Sequence, residues 1–286
     1  MSADELARSV RPWPAATTRG WSYSVRTVEG REVAAHRADE VRSTASVGKL
    51  LLLLALARAV DEGTLSADEP VTVDAVPPVA DSGLLQHLRV PVLSVGDLAV
   101  LIAAVSDNLA TNLLLAVVGA DRVDAERARL GLHRTRLLDR VRDVRGPADP
   151  PRLSEGTAAE LSALLAGLAR DEPSRAVAST VRGWLALGAD LSMVGSGLGL
   201  DPLAHVEGEG GVQLLSKTGR DVDVRADVGL LGADGRWFAY AALATGPAVS
   251  ADGGVTAMRD LRDLGLGLRD ALLRGAPARR GAPTGT

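Results

Sequence analysis

The sequence predicts an α+β fold: one antiparallel sheet assembled from the two ends of the chain, with flanking helices and an all-helical lobe inserted between them. Three observations lead there. Two β-leaning runs stand near the start, helical patterning extends from Ser46 to about Gly199, and beyond Gly210 three strand-like runs follow one another through glycine-containing turns. At 286 residues the chain can bury a sizeable core and fits a single unit, residues 1–286, in which 1–45 and 200–286 form the sheet lobe and 46–199 the helical lobe.

Each element has its own signal. "WSYSVRTVEGREVAAHRAD", from Trp21, reads as a hairpin that turns at Glu29-Gly30. The run from Leu50 to Ala57 is wholly apolar but is closed by Arg58, Asp61 and Glu62. That is well short of the roughly 18 residues of a membrane span, so it reads as a buried helix. Ser94 followed by Asp97 forms a capping box ahead of "VGDLAVLIAAV", and Gly119 stops the helix of "NLATNLLLAVVG". Further helices fit residues 120–130, 155–169 and 174–187. Between them "DRVRDVRGPADPPRL", residues 139–153, is rich in charge and proline and has no period, which predicts a surface loop. Long ordered loops often carry function. "VGSGLG", residues 194–199, lacks the glycine spacing and preceding strand of a phosphate cradle and reads as a connection between lobes. "EGEGG", residues 207–211, reads as a turn. "GVQLLSKTG", "VRADVGLLGADG" and "RWFAYAALATG" then give three consecutive antiparallel strands, a helix runs from about Gly254 to Leu273, and residues 275–286 are expected to be a disordered tail.

Composition narrows the function. The net charge is -4 with basic residues scattered among acids, which provides no electrostatic footprint for nucleic acid or an anionic membrane. Without cysteine there is neither a thiolate nucleophile nor a cysteine-rich zinc site. The four histidines, His36, His87, His133 and His205, are too scattered for a metal pattern, and no Gly-x-Ser-x-Gly elbow pairs one with a serine. No metal or other cofactor is expected. Asp4 and Glu5 stand where a signal peptide would be basic, and no apolar stretch follows them, so the expected location is the cytoplasm. The expected partner is a small molecule, met by a monomer.

The chain has two lysines, Lys49 and Lys217, against 30 arginines, and two asparagines, Asn108 and Asn112. A guanidinium does not release its proton at any useful pH, whereas the pKa of lysine falls on burial or beside a second cation. Lysine is therefore the cation that can double as a base. Lys49 follows Ser46 by three residues, so a helix beginning at Ser46 would place hydroxyl and ammonium on one face, with the serine at the positive end of the helix dipole. Ser-x-x-Lys alone arises about once by chance in a chain of this length, and alone it reads as a capped helix with a solvent-seeking lysine. Here it is followed by Ser106-Asp107-Asn108 and then by Lys217-Thr218-Gly219.

These three motifs, in this order, resemble the signature of the class A β-lactamase and penicillin-binding protein family. The resemblance extends from the hairpin near residue 21 to the last helix and implies a β-lactamase-like fold. It implies an acyl-enzyme mechanism in which Ser46 attacks, Lys49 activates it directly or indirectly, and Ser106, between the two lysines, passes a proton to the leaving group. The amides of Ser46 and Arg220 would form an oxyanion hole. Asn108 would hold the amide side chain of the substrate, and Lys217, Thr218 and Gly219 would bind its anionic end on a strand able to pair with an extended substrate. Arg225, counted back from "GLLG" on the next strand, falls where many class A enzymes bind the substrate carboxylate.

The resemblance breaks in the loop. Hydrolysing members carry Arg-x-Glu-x-x-Leu-Asn, whose glutamate activates the deacylating water. "LDRVRDVRG" matches the approach to it at Leu138, Asp139 and Arg140, but puts Arg142 at the glutamate position and Gly146 at the asparagine position. Asp143 is one residue away and shorter. The expected function is thus a serine hydrolase acting on an amide, ester or β-lactam through an acyl-Ser46 intermediate, with deacylation impaired. The alternatives are a non-catalytic binder of β-lactam-like or peptide-like ligands on the same fold, or a DD-peptidase.

Overall fold

The computed structural model of the chain describes residues 20–206, 208, 211–252 and 254–274. The expected tail, three residues of the 207–211 turn and all but the last residue of the opening "MSADELARSVRPWPAATTRG" lie outside them. β1 (Trp21–Thr27) and β2 (Glu32–His36) form the expected hairpin, its turn closed by Gly30 N donating to the Thr27 carbonyl at 2.9 Å. β3 (Arg42–Ser43) leads into a 3-10 turn, Ala45–Gly48, and only then into α1 (Lys49–Asp61). β4 (Pro70–Thr72) pairs with β5 (Val92–Ser94) ahead of α2 (Val95–Val105). The capping box that opens α2 is formed as expected, Asp97 N donating to Ser94 Oγ at 3.0 Å and Ser94 N to the Asp97 carboxylate at 3.3 Å. α3 (Asn108–Val118) stops at Gly119, whose φ of +85° a side chain would oppose, and α4 (Ala120–Arg129) starts from the same glycine.

β6 (Arg136–Leu137) and β7 (Ser154–Gly156) flank the charged loop and join β3 in a second, three-stranded sheet that periodicity did not predict. Residues 155 and 156, expected to be helical, are therefore strand. α5 (Ala158–Ala169) opens later, capped by the Thr157 hydroxyl. Two-residue strands have no period of their own, so only their partners reveal them. α6 (Arg175–Leu185) and a 3-10 turn at Val194–Gly197 complete the central span. β8 (Val212–Asp221), β9 (Val224–Ala233) and β10 (Arg236–Thr245) form the expected meander, and after a helical turn at Pro247–Ser250 α7 (Val255–Arg274) ends the described chain.

The main sheet has the order β2-β1-β10-β9-β8, so the N-terminal hairpin docks on the C-terminal meander and the fold is α+β as expected. Alternation along the strands splits the core in two. Leu215, Val228, Leu230, Ala239 and Ala241 face the helices, whereas Leu214, Leu231, Phe238, Tyr240 and Ala242 meet Leu261 and Leu268 of α7 on the opposite face. α5 lies on β1, β9 and β10, where the alanines of β10 allow close approach, and Ser162 Oγ donates to Ser24 Oγ at 2.8 Å. α1 is surrounded by α3, α4 and α6, with Leu50, Leu52, Leu53 and Leu54 fully buried. A helix apolar on every side is stable only in such a place. Each of these leucines contributes about 1.5–3 kcal/mol by leaving water. The buried helix holds Lys49 at its N-terminus, and β8, at the edge of the sheet, faces it.

Candidate active site

Ser46 lies in the 3-10 turn and Lys49 is the first residue of α1, so the two do not share one α-helix as expected. A turn of three residues aligns positions i and i+3 more tightly than an α-helix does. The turn is locked from behind. Ser154 Oγ donates to the Ala45 carbonyl at 2.6 Å and lies 2.7 Å from Thr44 Oγ1, and a Cβ at Gly48 would come within 2.2 Å of the Ser154 Cβ. The Ser46 amide belongs to the first turn, where N–H groups have no helical acceptor.

Lys49 is completely buried. Its ammonium donates to the Ser106 carbonyl at 2.6 Å, to Ser106 Oγ at 3.3 Å and to Asn108 Oδ1 at 2.8 Å, which uses its three protons. Among the described residues no hydrogen bond joins it to Ser46. Burial, and next the charge of Lys217, push its pKa well below the ordinary lysine value, opposed by the carboxylates of Asp107 and Asp81.

Ser106 ends α2 in the left-handed region at φ +56°, a conformation that costs a non-glycine residue energy and turns its side chain away from the helix. Asp107 is structural: it caps α3 through Ala110 N at 2.9 Å, and its other oxygen accepts from Leu84 N and Leu85 N, both at 2.7 Å. Asn108 Nδ2 donates to the Ala80 carbonyl at 2.9 Å, and Asn108 N to the Ser82 carbonyl at 2.9 Å. The tripeptide thus joins Lys49, the 80–82 segment and the α2–α3 corner.

Lys217 Nζ donates to Ser106 Oγ at 3.0 Å and to the Thr218 carbonyl at 2.8 Å. The Ser106 oxygen therefore accepts from both lysines, which leaves its own proton free to be given away. Burial brings Lys217 down to about 8, opposed by Asp190 and Asp227. Gly219 is required by contact: a Cβ there would lie 2.3 Å from the Thr44 carbonyl oxygen and 3.1 Å from the Ser46 amide nitrogen. Only glycine lets β8 lie against the turn of Ser46 so that the backbone of the next residue, Arg220, comes beside it.

Ser46, Ser106, Asn108, Thr218, Arg220 and Arg225 line one cleft of about 800 Å³. Lys49 and Lys217 are buried at Ser106, and Gly219 lies behind the wall. Arg225 is almost fully buried, and its Nη1 donates to the carbonyls of Asp221 at 2.6 Å and Val224 at 2.8 Å, so it shapes the β8–β9 end while Arg220 is exposed.

Four residues escaped sequence reasoning. Asp190 lines the cleft and accepts from Thr218 Oγ1 at 2.8 Å. Burial pushes Asp190 up, but hydrogen bonds from Ser192 and Thr218 and the charge of Lys217 outweigh it, and its pKa ends below the ordinary value. Asp227, paired across the sheet with Thr218, is buried and accepts from Tyr240 Oη and Val194 N, both at 2.9 Å; burial raises it to about 7. A lone acid inside "VRADVGLLGA" was its visible signal. Asn112 clasps the loop, donating to the Val141 carbonyl at 3.0 Å and accepting from Val141 N at 2.8 Å, and its signal was rarity. Asp81, on the cleft wall, had none.

The loop itself is a ring of ion pairs. Arg142 is 2.7 Å from Asp139 and 3.0 Å from Asp149, Arg145 also binds Asp139, and Asp143 Oδ1 accepts from Ala80 N at 2.9 Å. Arg142 lines the cleft, so the loop presents a guanidinium there.

This fold is that of solved β-lactamases and of PBP-A. A β-lactamase from Sphaerobacter thermophilus aligns over 97% of this chain and 100% of its own, at TM-score 0.77 and 24% identity. PBP-A aligns over 94% of this chain and 96% of its own at TM-score 0.75 and 20% identity. A β-lactamase from Xanthomonas campestris pv. campestris aligns over 95% and 99%, at TM-score 0.74 and 21% identity. No curated protein sequence matches the chain. The model of the beta-lactamase enzyme family matches residues 4–264, and the chain belongs to that family.

Proposed function

We propose that this protein is a serine hydrolase that opens an amide, ester or β-lactam through an acyl-Ser46 intermediate, and that the intermediate is slow to hydrolyse. The observation that carries the reading is the convergence of both lysines of the chain on Ser106 Oγ, at 3.3 and 3.0 Å, in the cleft that Ser46 lines. Lys49, neutral for part of the time because burial disfavours its charge, accepts the Ser46 proton directly or through its neighbours. Ser46 Oγ bonds to the acyl carbon, the oxyanion meets the amides of Ser46 and Arg220, and the bond to the leaving nitrogen or oxygen breaks as Ser106 protonates it and takes in turn the proton that Lys49 had accepted from Ser46. Lys217 and Arg220 attract an anionic end of the substrate. β8 is a sheet edge, which suits pairing with an extended one.

Water must then attack the ester. Arg142 cannot act as a base, and Asp143, the carboxylate next to it in the chain, has one oxygen engaged by Ala80 N. A mutant of PBP-A has been solved as an acyl-enzyme complex with penicillin G. The same missing base also favours a second reading, a binder that keeps the cleft without turnover.

Incubation with penicillin G followed by intact mass separates the two. The hydrolase reading expects one adduct on the peptide containing Ser46, formed in a burst that matches the protein concentration and lost slowly; Ser46→Ala abolishes it. Binding without any covalent adduct supports the second reading, and rapid turnover with no accumulated adduct overturns the slow step.

A further inference from the structure

The two rims of the cleft carry opposite charge, and what this selects rests on the acyl-Ser46 reading above. On the side of β8 the rim has Arg220, exposed, and Arg225, with Asp221 beside them. On the side of Asn108 it is formed by residues 80–82 and 141–145. Asn108 is bonded to the carbonyls of Ala80 and Ser82, so the backbone of Asp81 is fixed against the residue proposed to take the substrate amide. Asp143 Oδ1 accepts from Ala80 N at 2.9 Å, which brings a second carboxylate to the same stretch.

Neither carboxylate is neutralised. Asp81 is exposed, and among the described residues its carboxylate makes no hydrogen bond or ion pair. Its field nevertheless acts on Lys49, so it lies within electrostatic reach of the reacting centre. Asp143 makes a single bond to a neutral amide. The two loop arginines that line the cleft are already committed, Arg142 to Asp139 and Asp149, and Arg145 to Asp139 and the Pro150 carbonyl. A substrate occupying the cleft therefore has two exposed carboxylates beside its acyl half and the exposed guanidinium of Arg220 beside its other end.

We propose that the enzyme selects zwitterionic acyl substrates: the acyl side chain carries an ammonium group that sits between Asp81 and Asp143, and the opposite end carries a carboxylate near Arg220. In chemical class these are amides of amino-acid-like acyl groups rather than neutral or dianionic ones. Fixed charges of opposite sign at the two ends of a cleft orient such a molecule and disfavour the wrong charge at either end.

Three penicillins differ mainly at the carbon next to the side-chain amide: ampicillin has an ammonium there, carbenicillin a carboxylate, and penicillin G neither. The second-order rate of Ser46 labelling is measured for each at about pH 6, where an α-amino group is charged. The expected order is ampicillin, penicillin G, carbenicillin, each step about three- to tenfold for partly exposed charges. In Asp81→Asn/Asp143→Asn the ratios between the three collapse to within about twofold, and in the unaltered protein they shrink at about 0.5 M salt, where screening acts within about 4 Å. Equal rates for ampicillin and penicillin G, or a preference that survives both substitutions, overturn the proposal while leaving the acyl-Ser46 reading intact. Failure of all three to label Ser46 overturns both.

Discussion

The corner around Ser106 and the loop from 139 to 153 face the same cleft but are built by opposite means. In the corner two lysines are buried to the point of losing basicity, and each is held by short hydrogen bonds to Ser106. In the loop the arginines stay in contact with carboxylates and with water, and Arg142 has its pKa raised, chiefly by the hydrogen bond to Asp139. Burial turns a cation into a possible base, whereas pairing makes it a firmer cation. The corner is thus equipped to move protons and the loop to hold shape. Substitutions in the corner should change rates, and those in the loop should change stability or the lifetime of the ester.

The sharpest test of that contrast is Lys49→Arg. A guanidinium cannot deprotonate, and it is too large for a completely buried position with three acceptors in place. Labelling of Ser46 should fall by about a thousandfold. A variant that labels as fast as the parent would remove Lys49 as the base.

Lys217→Arg should cost less, about tenfold, because the position needs charge more than proton exchange. The pH profile separates the roles. Lys217 loses its proton as pH rises through about 8, so labelling by a carboxylate-bearing β-lactam should decline above that pH, and arginine should move the decline to higher pH. The unfolded chain keeps this proton to about 10.5, so between the two values the unfolded state binds more protons and the cost of burying Lys217 shrinks as pH rises. A decline in that window is therefore not unfolding driven by this group. An unshifted decline in Lys217→Arg would assign the limb elsewhere.

On the loop side, Asn112→Ala removes both bonds to Val141. Leaving these polar groups unpaired costs about 1–3 kcal/mol. The expected outcome is a fall in Tm of a few degrees, with the initial labelling rate within about twofold of the parent. A large loss of labelling at unchanged Tm would mean that the loop takes part in acylation and would erase the contrast.

The smallest effect is expected for Asp227→Asn. Above about pH 7 Asp227 is ionised and supports the charge on Lys217, so its removal should move the alkaline decline to lower pH, by less than about one unit. An unchanged profile with a lower Tm would make Asp227 purely an anchor for Val194 and Tyr240.

Much of this molecule can be read without coordinates. The hairpin at Trp21, the capping box at Ser94, the stop at Gly119, the buried leucine helix and the three final strands are all local patterns, and each stands where its period or turn chemistry indicated. The scarcity of lysine and asparagine likewise pointed to Lys49, Lys217 and Asn108. Periodicity and residue choice depend on neighbours along the chain, so the chain displays them directly.

What only the tertiary structure decided depends on distance across the chain. The 3-10 turn that separates Ser46 from the helix of Lys49 packs against Ser154, which leaves no room for a side chain at Gly48, and the minor sheet of β3, β6 and β7 exists only as a pairing of short remote segments. Asp190 beneath Thr218, Asp227 behind β8 and the commitment of Arg142 to Asp139 and Asp149 are likewise products of assembly. A pKa is set by how much water a group loses and which charges replace it. The same lysine side chain is an ordinary surface cation in an unfolded segment and a candidate base at the buried end of α1.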